Sequence, residues 1–219
     1  MRKLLPFVTV GPRLIRACGV ATVVACVLLV VGTVVETLTP TPDSFVFSPP
    51  ATHPQFVHSV VLPLLWLLAS VGLWLGLLAL WVRDWRAYDT VRTVLAFGSV
   101  LGAALVALAY LGFAVGHLNE LAGNVTRSTS LMSSLLWLSG AAFGLVGVCL
   151  YGIVLTVRGP RNRVGGALLG SLLLTAVGLS ASTVGVVPLS LGFGVLGYSL
   201  VRHPDPVPSE HGRGDRGET

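Results

Sequence analysis

Apolar residues run through this chain in long blocks that neither alternate in a strand period nor form one-sided stripes. A helix needs about 20 mainly apolar residues to cross the hydrocarbon core of a bilayer. Six blocks meet or approach that length and predict helices over about 17–38, 58–82, 93–116, 131–157, 164–181 and 184–201. The expected fold is all-α: an integral membrane protein built as a six-transmembrane-helix bundle spanning 17–201. Residues 1–16 form a short N-terminal segment, and 202–219 read as a disordered tail rich in Pro, Gly and mixed charge.

The interruptions define the connections. Pro40, Pro42, Pro49, Pro50 and Pro54 make Thr39 to Gln55 a loop, because proline lacks the N–H and clashes inside a helix. Pro63 falls in the first turns of the second run, where a kink is tolerated. Arg83 to Arg92 read as a polar turn, His117 to Ser130 as a polar link and Arg158 to Arg163 as a basic turn. No residue from Val164 to Leu200 is charged, a stretch too long for one span and sufficient for two short ones. The small residues and Pro188 around 180–188 predict a hairpin, with a re-entrant element plus one span as the alternative. A cleaved signal peptide competes for the first run, but the run exceeds a typical h-region and no A-x-A-like site follows it.

Charge orients the bundle. Lys and Arg collect on cytoplasmic loops. With the N-terminus inside and six spans, every one of the 14 basic residues except Arg127 falls on the cytoplasmic side. Both termini are therefore expected in the cytoplasm. Charged residues make up only 11% of the chain, against about 25% in soluble domains, so lipid must cover much of its surface. The net charge of +5 resides in these short clusters, and no basic stripe interleaved with aromatics points to nucleic acid. All basic residues but Lys3 are Arg. That bias, with glycine-rich spans and a Pro/Thr external loop, resembles the style of small archaeal and bacterial membrane proteins and places the chain in a prokaryotic plasma membrane. Cys18, Cys26 and Cys149 lie in apolar runs without C-x-x-C spacing and read as small buried hydrophobes.

Membrane helices associate through close backbone approach, since lipid tails are as apolar as Leu. Small residues at helical spacing predict the contact faces: Ala69, Gly72, Gly76 and Ala79; Gly98, Gly102, Ala109, Gly112 and Gly116; and Ser133, Gly140, Gly144 and Gly147. Gly192, Gly194 and Gly197 read as packing. Trp74, Trp81 and Trp85 project opposite the small face of the second helix, toward lipid or a partner membrane protein. Ser171, Thr175, Gly178 and Ser182 form a stripe that serves either as helix–helix glue or as a polar lining.

Candidate chemistry is sparse. Ionisable residues deep in a membrane are costly and mark function, and none sits near the middle of a predicted span. That argues against a proton-coupled pump or a voltage sensor. His53, His58 and His117 are all expected on the outer side, near Glu36, Asp43 and Glu120. Imidazoles and carboxylates suit zinc or copper, and two facing histidines would ligate haem. No diagnostic spacing accompanies them, so solvated loop histidines are the competing reading and no cofactor is assigned. Asn124-Val125-Thr126 is a glycosylation sequon on the expected outer loop. No G-x-S-x-G elbow, P-loop or C-x-x-C pair occurs, so an enzyme is not expected. The leading expectation is a non-enzymatic structural or accessory subunit of a membrane assembly, touching lipid and other membrane proteins. A small-solute permease or channel component and a metal- or haem-binding protein are the alternatives.

Overall fold

The computed structural model describes residues 11–40, 53–85, 88–121, 127–158, 162–179 and 187–205. These residues are overwhelmingly helical and form no strand. The helices are α1 (Pro12–Leu38), α2 (His53–Phe56), α3 (Leu62–Asp84), α4 (Thr90–Leu121), α5 (Arg127–Arg158), α6 (Asn162–Leu179) and α7 (Val187–Arg202). A π-helical turn, Val57–Val61, joins α2 to α3 without a break.

Local chemistry explains where the helices begin. Pro12 starts α1 behind Gly11, because a fixed φ and a missing N–H do no harm at the first helical position. The helix thus begins before the expected Ala17. Asp89 caps α4: its Oδ1 accepts the Arg92 amide at 2.8 Å, the N-cap to N3 bond that satisfies an orphan donor. At the end of α1 the Thr39 amide and hydroxyl both donate to the Val35 carbonyl, and Pro40 follows.

Among the described residues four helices are long and apolar enough to cross a membrane: Pro12–Leu38, Pro54–Asp84, Thr90–Gly116 and Leu131–Val157. The other two are shorter. The 18 residues of α6 and 16 of α7 reach roughly 27 and 24 Å at about 1.5 Å per residue, against a core about 30 Å thick. The hairpin expected between them falls on residues 180–186, outside the described residues, as do the tail beyond Asp205 and Asn124.

Each long helix packs on its neighbours in sequence, and α7 returns to pack on α1, so the helices close into a ring. The ring is filled rather than hollow. Leu77, Leu80, Tyr151, Leu168, Leu196 and Leu200 are fully buried within it. Outward faces are apolar: Val20, Val24, Val27 and Val31 on α1 and Leu138, Phe143, Val146 and Leu150 on α5 are all exposed. In water such patches would drive association; next to lipid tails they are matched. The chain is thus an apolar helical protein suited to a membrane.

Close approach occurs at many of the small residues that predict it. A Cβ on Gly72 would meet Ala25 Cβ at 2.5 Å and the Ala21 carbonyl oxygen at 2.8 Å, and one on Gly140 the Val106 amide at 2.7 Å. Gly102 faces the Gly144 backbone, and Gly147 faces Ser99. Gly98 and Gly194, expected at contacts, border open space instead. Spacing alone overcounts here, because a helix turned slightly from its ideal phase leaves the edge of a small stripe outside the seam.

The tryptophan face also departs from expectation. Trp74 and Trp81 are half-buried against the core cluster, with both indole nitrogens enclosed. Trp81 meets Phe97 of α4 edge-on, with ring centroids 6.0 Å apart. Trp74 and Trp81 thus pack in part on this chain's own helices rather than standing wholly outward.

Candidate functional site

The two ends of the ring differ in chemistry. At the end where α3 finishes and α4 begins, Arg83 and Asp84 lie inside the last turn of α3, not in the polar turn expected for them. Their side chains are 0% and 4% exposed. Arg83 grips its neighbour through two parallel bonds, Nε to Oδ1 at 2.9 Å and Nη2 to Oδ2 at 2.8 Å. Its Nη1 donates to the His203 carbonyl at 3.1 Å, just beyond α7. Charges taken this far from water persist only when paired and hydrogen-bonded. Beside them the hydroxyls of Tyr88 and Tyr151 bond to each other at 2.5 Å, the rings meeting edge-on. This cluster ties α3, α5 and the end of α7 together, and every polar group named in it has a partner.

The opposite end holds a cleft of about 200 Å³ lined by Glu36, His58, Leu62, Pro63, Trp66, Tyr110 and Phe113. Three elements build it. Glu36 stands in the last turns of α1, one turn beyond Gly32, over which the Trp66 ring lies at 3.6 Å from where a Cβ would be. Trp66 belongs to α3 and stacks offset on Tyr110 of α4, with centroids 6.5 Å apart and planes 25° apart. Phe113, one turn further on, meets Tyr110 edge-on at 6.2 Å.

Pro63 explains the position of His58. It has no N–H for the Ser59 carbonyl and its ring would crowd that oxygen. The chain widens by one residue, so that the Leu62 amide reaches back to the Val57 carbonyl in a π-turn. Such turns recur at functional sites because they redirect side chains. Here the turn lets His58 line the cleft. Its Nε2 is buried without a hydrogen-bond partner among the described residues. Glu36 forms no ion pair among them either.

Of the expected histidines, His58 is therefore in the cleft, beside Glu36. His53 opens α2 and His117 lies in the last turns of α4 rather than in a loop; their side chains are outside the described residues. No group of three His, Cys, Asp or Glu gathers among the described residues. The aromatic walls, Trp66, Tyr110 and Phe113, went unremarked in the sequence. Each looks there like an ordinary interfacial or lipid-facing ring, and only the approach of α3 to α4 makes them a wall.

Comparison with protein-family models, curated proteins and solved structures finds no match. The functional reading accordingly rests on the geometry of the ring and its two ends.

Proposed function

We propose that the chain is a six-span protein of a prokaryotic plasma membrane, with both termini cytoplasmic, that serves as a non-enzymatic accessory subunit of a membrane assembly. The observation that carries this reading is the filled interior of the ring. Three buried hydroxyls within it turn back on their own helices, Ser99 to Leu95, Ser171 to Leu168 and Ser190 to Val187, at 2.6–2.9 Å, while Thr175 on α6 has no partner among the described residues. Ser171, half of the described hydroxyl stripe on α6, packs on Gly192 of α7. These features support helix–helix glue over a solute path. The arginine-bearing turns at one end of the ring support the cytoplasmic assignment of that end, and with it the outward position of the cleft.

Purification from native membranes in mild detergent tests the reading. A membrane protein recovered in fixed ratio with the chain is the expected result. A chain that purifies alone and carries a solute across proteoliposomes would replace it with the permease reading. Thiol labelling of single cysteines placed at Asn124 and Thr219 tests the orientation. Asn124 should react in intact cells and Thr219 only after permeabilisation.

A further inference from the structure

We propose that the cleft between α1, α3 and α4 binds a small organic cation, an ammonium headgroup, between the faces of Trp66, Tyr110 and Phe113 and the carboxylate of Glu36. This goes beyond the accessory-subunit reading and does not rest on it.

The sign of the ligand follows from what lines the cleft. Aromatic rings present negative faces, and a cation within about 6 Å of a ring centroid is attracted to them. Three rings line the cleft, with Trp66 and Phe113 centred 6.5 and 6.2 Å from Tyr110. Glu36 adds a carboxylate that has no cationic partner among the described residues. Among the described residues no Arg or Lys lines the cleft. The Nε2 of His58, without a partner among the described residues, gives a second polar atom at the same wall. The charged group of fixed sign in the described lining is the Glu36 carboxylate, which favours a cation over an anion.

The size of the ligand follows from the volume. Sites for drug-sized molecules enclose roughly 300–1,000 Å³, and this open cleft holds about 200 Å³. It suits a headgroup such as a quaternary or primary ammonium, free in solution or carried on a lipid at the bilayer surface. A metal ion fits less well. Zinc sites use three or four protein ligands, while the described lining offers Glu36 and His58.

The test uses the full chain in detergent. Tetramethylammonium chloride is titrated against it, with sodium chloride at matched ionic strength as control, following tryptophan emission and heat of binding. A saturable response that sodium does not reproduce is expected. Glu36→Gln should weaken it at least tenfold while elution volume and thermal unfolding stay those of the parent. If Glu36→Gln does not fold, Phe113→Leu decides, with an expected loss of threefold or more. Wild-type affinity in whichever variant is folded overturns the proposal. So does the absence of a saturable response, or binding of zinc alone that is lost in His58→Ala. A second arm separates sources. Retention of phosphatidylcholine or phosphatidylethanolamine over phosphatidylglycerol in the purified protein, lost in Glu36→Gln, assigns the headgroup to a lipid. Equal retention with intact tetramethylammonium binding assigns it to a free ammonium compound.

Discussion

Gly19 of α1 and Gly197 of α7 face each other across the seam that closes the ring. A methyl group on Gly19 would lie 2.8 Å from the Gly197 carbonyl oxygen and 2.9 Å from Leu200 Cβ; one on Gly197 would lie 2.9 Å from the Gly19 carbonyl oxygen. Backbone stands on both sides, so neither helix yields without moving as a whole. Overpacking of this kind typically costs about 1–3 kcal/mol. Gly19→Ala and Gly197→Ala should each lower thermal stability in detergent by that order. Unchanged unfolding in both would mean that α7 does not dock on α1 as described.

The seam between α4 and α5 predicts an asymmetry. A Cβ on Gly102 would run into the Gly144 backbone, whereas one on Gly144 finds Gly102 at an ordinary 3.6 Å. Gly102→Ala should therefore destabilise by about 1–3 kcal/mol. Gly144→Ala should be nearly neutral, or slightly stabilising through the better helix propensity of Ala. Equal losses in the two variants, read by thermal unfolding, would contradict the described register.

Arg83 and Asp84 should behave as one unit. Removing either partner leaves the other charge buried, at about 3–5 kcal/mol. Removing both with apolar residues of similar size is often nearly neutral. Asp84→Leu and Arg83→Met should each be severely destabilised, and the double variant should recover most of the loss. Additive losses across that cycle would show that the pair is water-exposed in the folded protein.

Two buried threonines give a paired test of interior polarity. The Thr22 hydroxyl donates to the Cys18 carbonyl at 2.7 Å and lies 3.2 Å from the Gly72 carbonyl of α3. The Thr175 hydroxyl, on α6, is buried without a partner among the described residues. Thr175→Val should be neutral or stabilising, since an unmet buried hydroxyl is a liability. Thr22→Val should lose about 1 kcal/mol. A large loss on Thr175→Val would indicate a polar path along α6.

The contact faces were mostly legible, because a small-residue stripe is a periodic feature of a single helix. Gly72, Gly76, Gly102, Gly140 and Gly147 all sit at seams. Gly98 and Gly194 show the limit: spacing names a stripe but not which of its edges meets a neighbour. The candidate cleft was legible only in part. Glu36 and His58 stood out as polar residues at the ends of apolar runs. Trp66, Tyr110 and Phe113 did not, because their meaning depends on which helices are adjacent. The burial of Arg83 and Asp84 was invisible for a related reason. Adjacent opposite charges at the end of an apolar run read as a solvated turn, and it is the docking of α7 that brings the His203 carbonyl over them.

The sequence by itself determined that this is an apolar helical protein suited to a membrane, where its long helices run and which end gathers arginine. Those properties follow from transfer free energies and helical period, both of which add up residue by residue along the chain. The tertiary structure alone decided that α7 closes on α1, that an ion pair is sealed at one end and that an aromatic cleft opens at the other. Each of these joins residues far apart in the chain, through packing whose steric match leaves no periodic trace in any one segment.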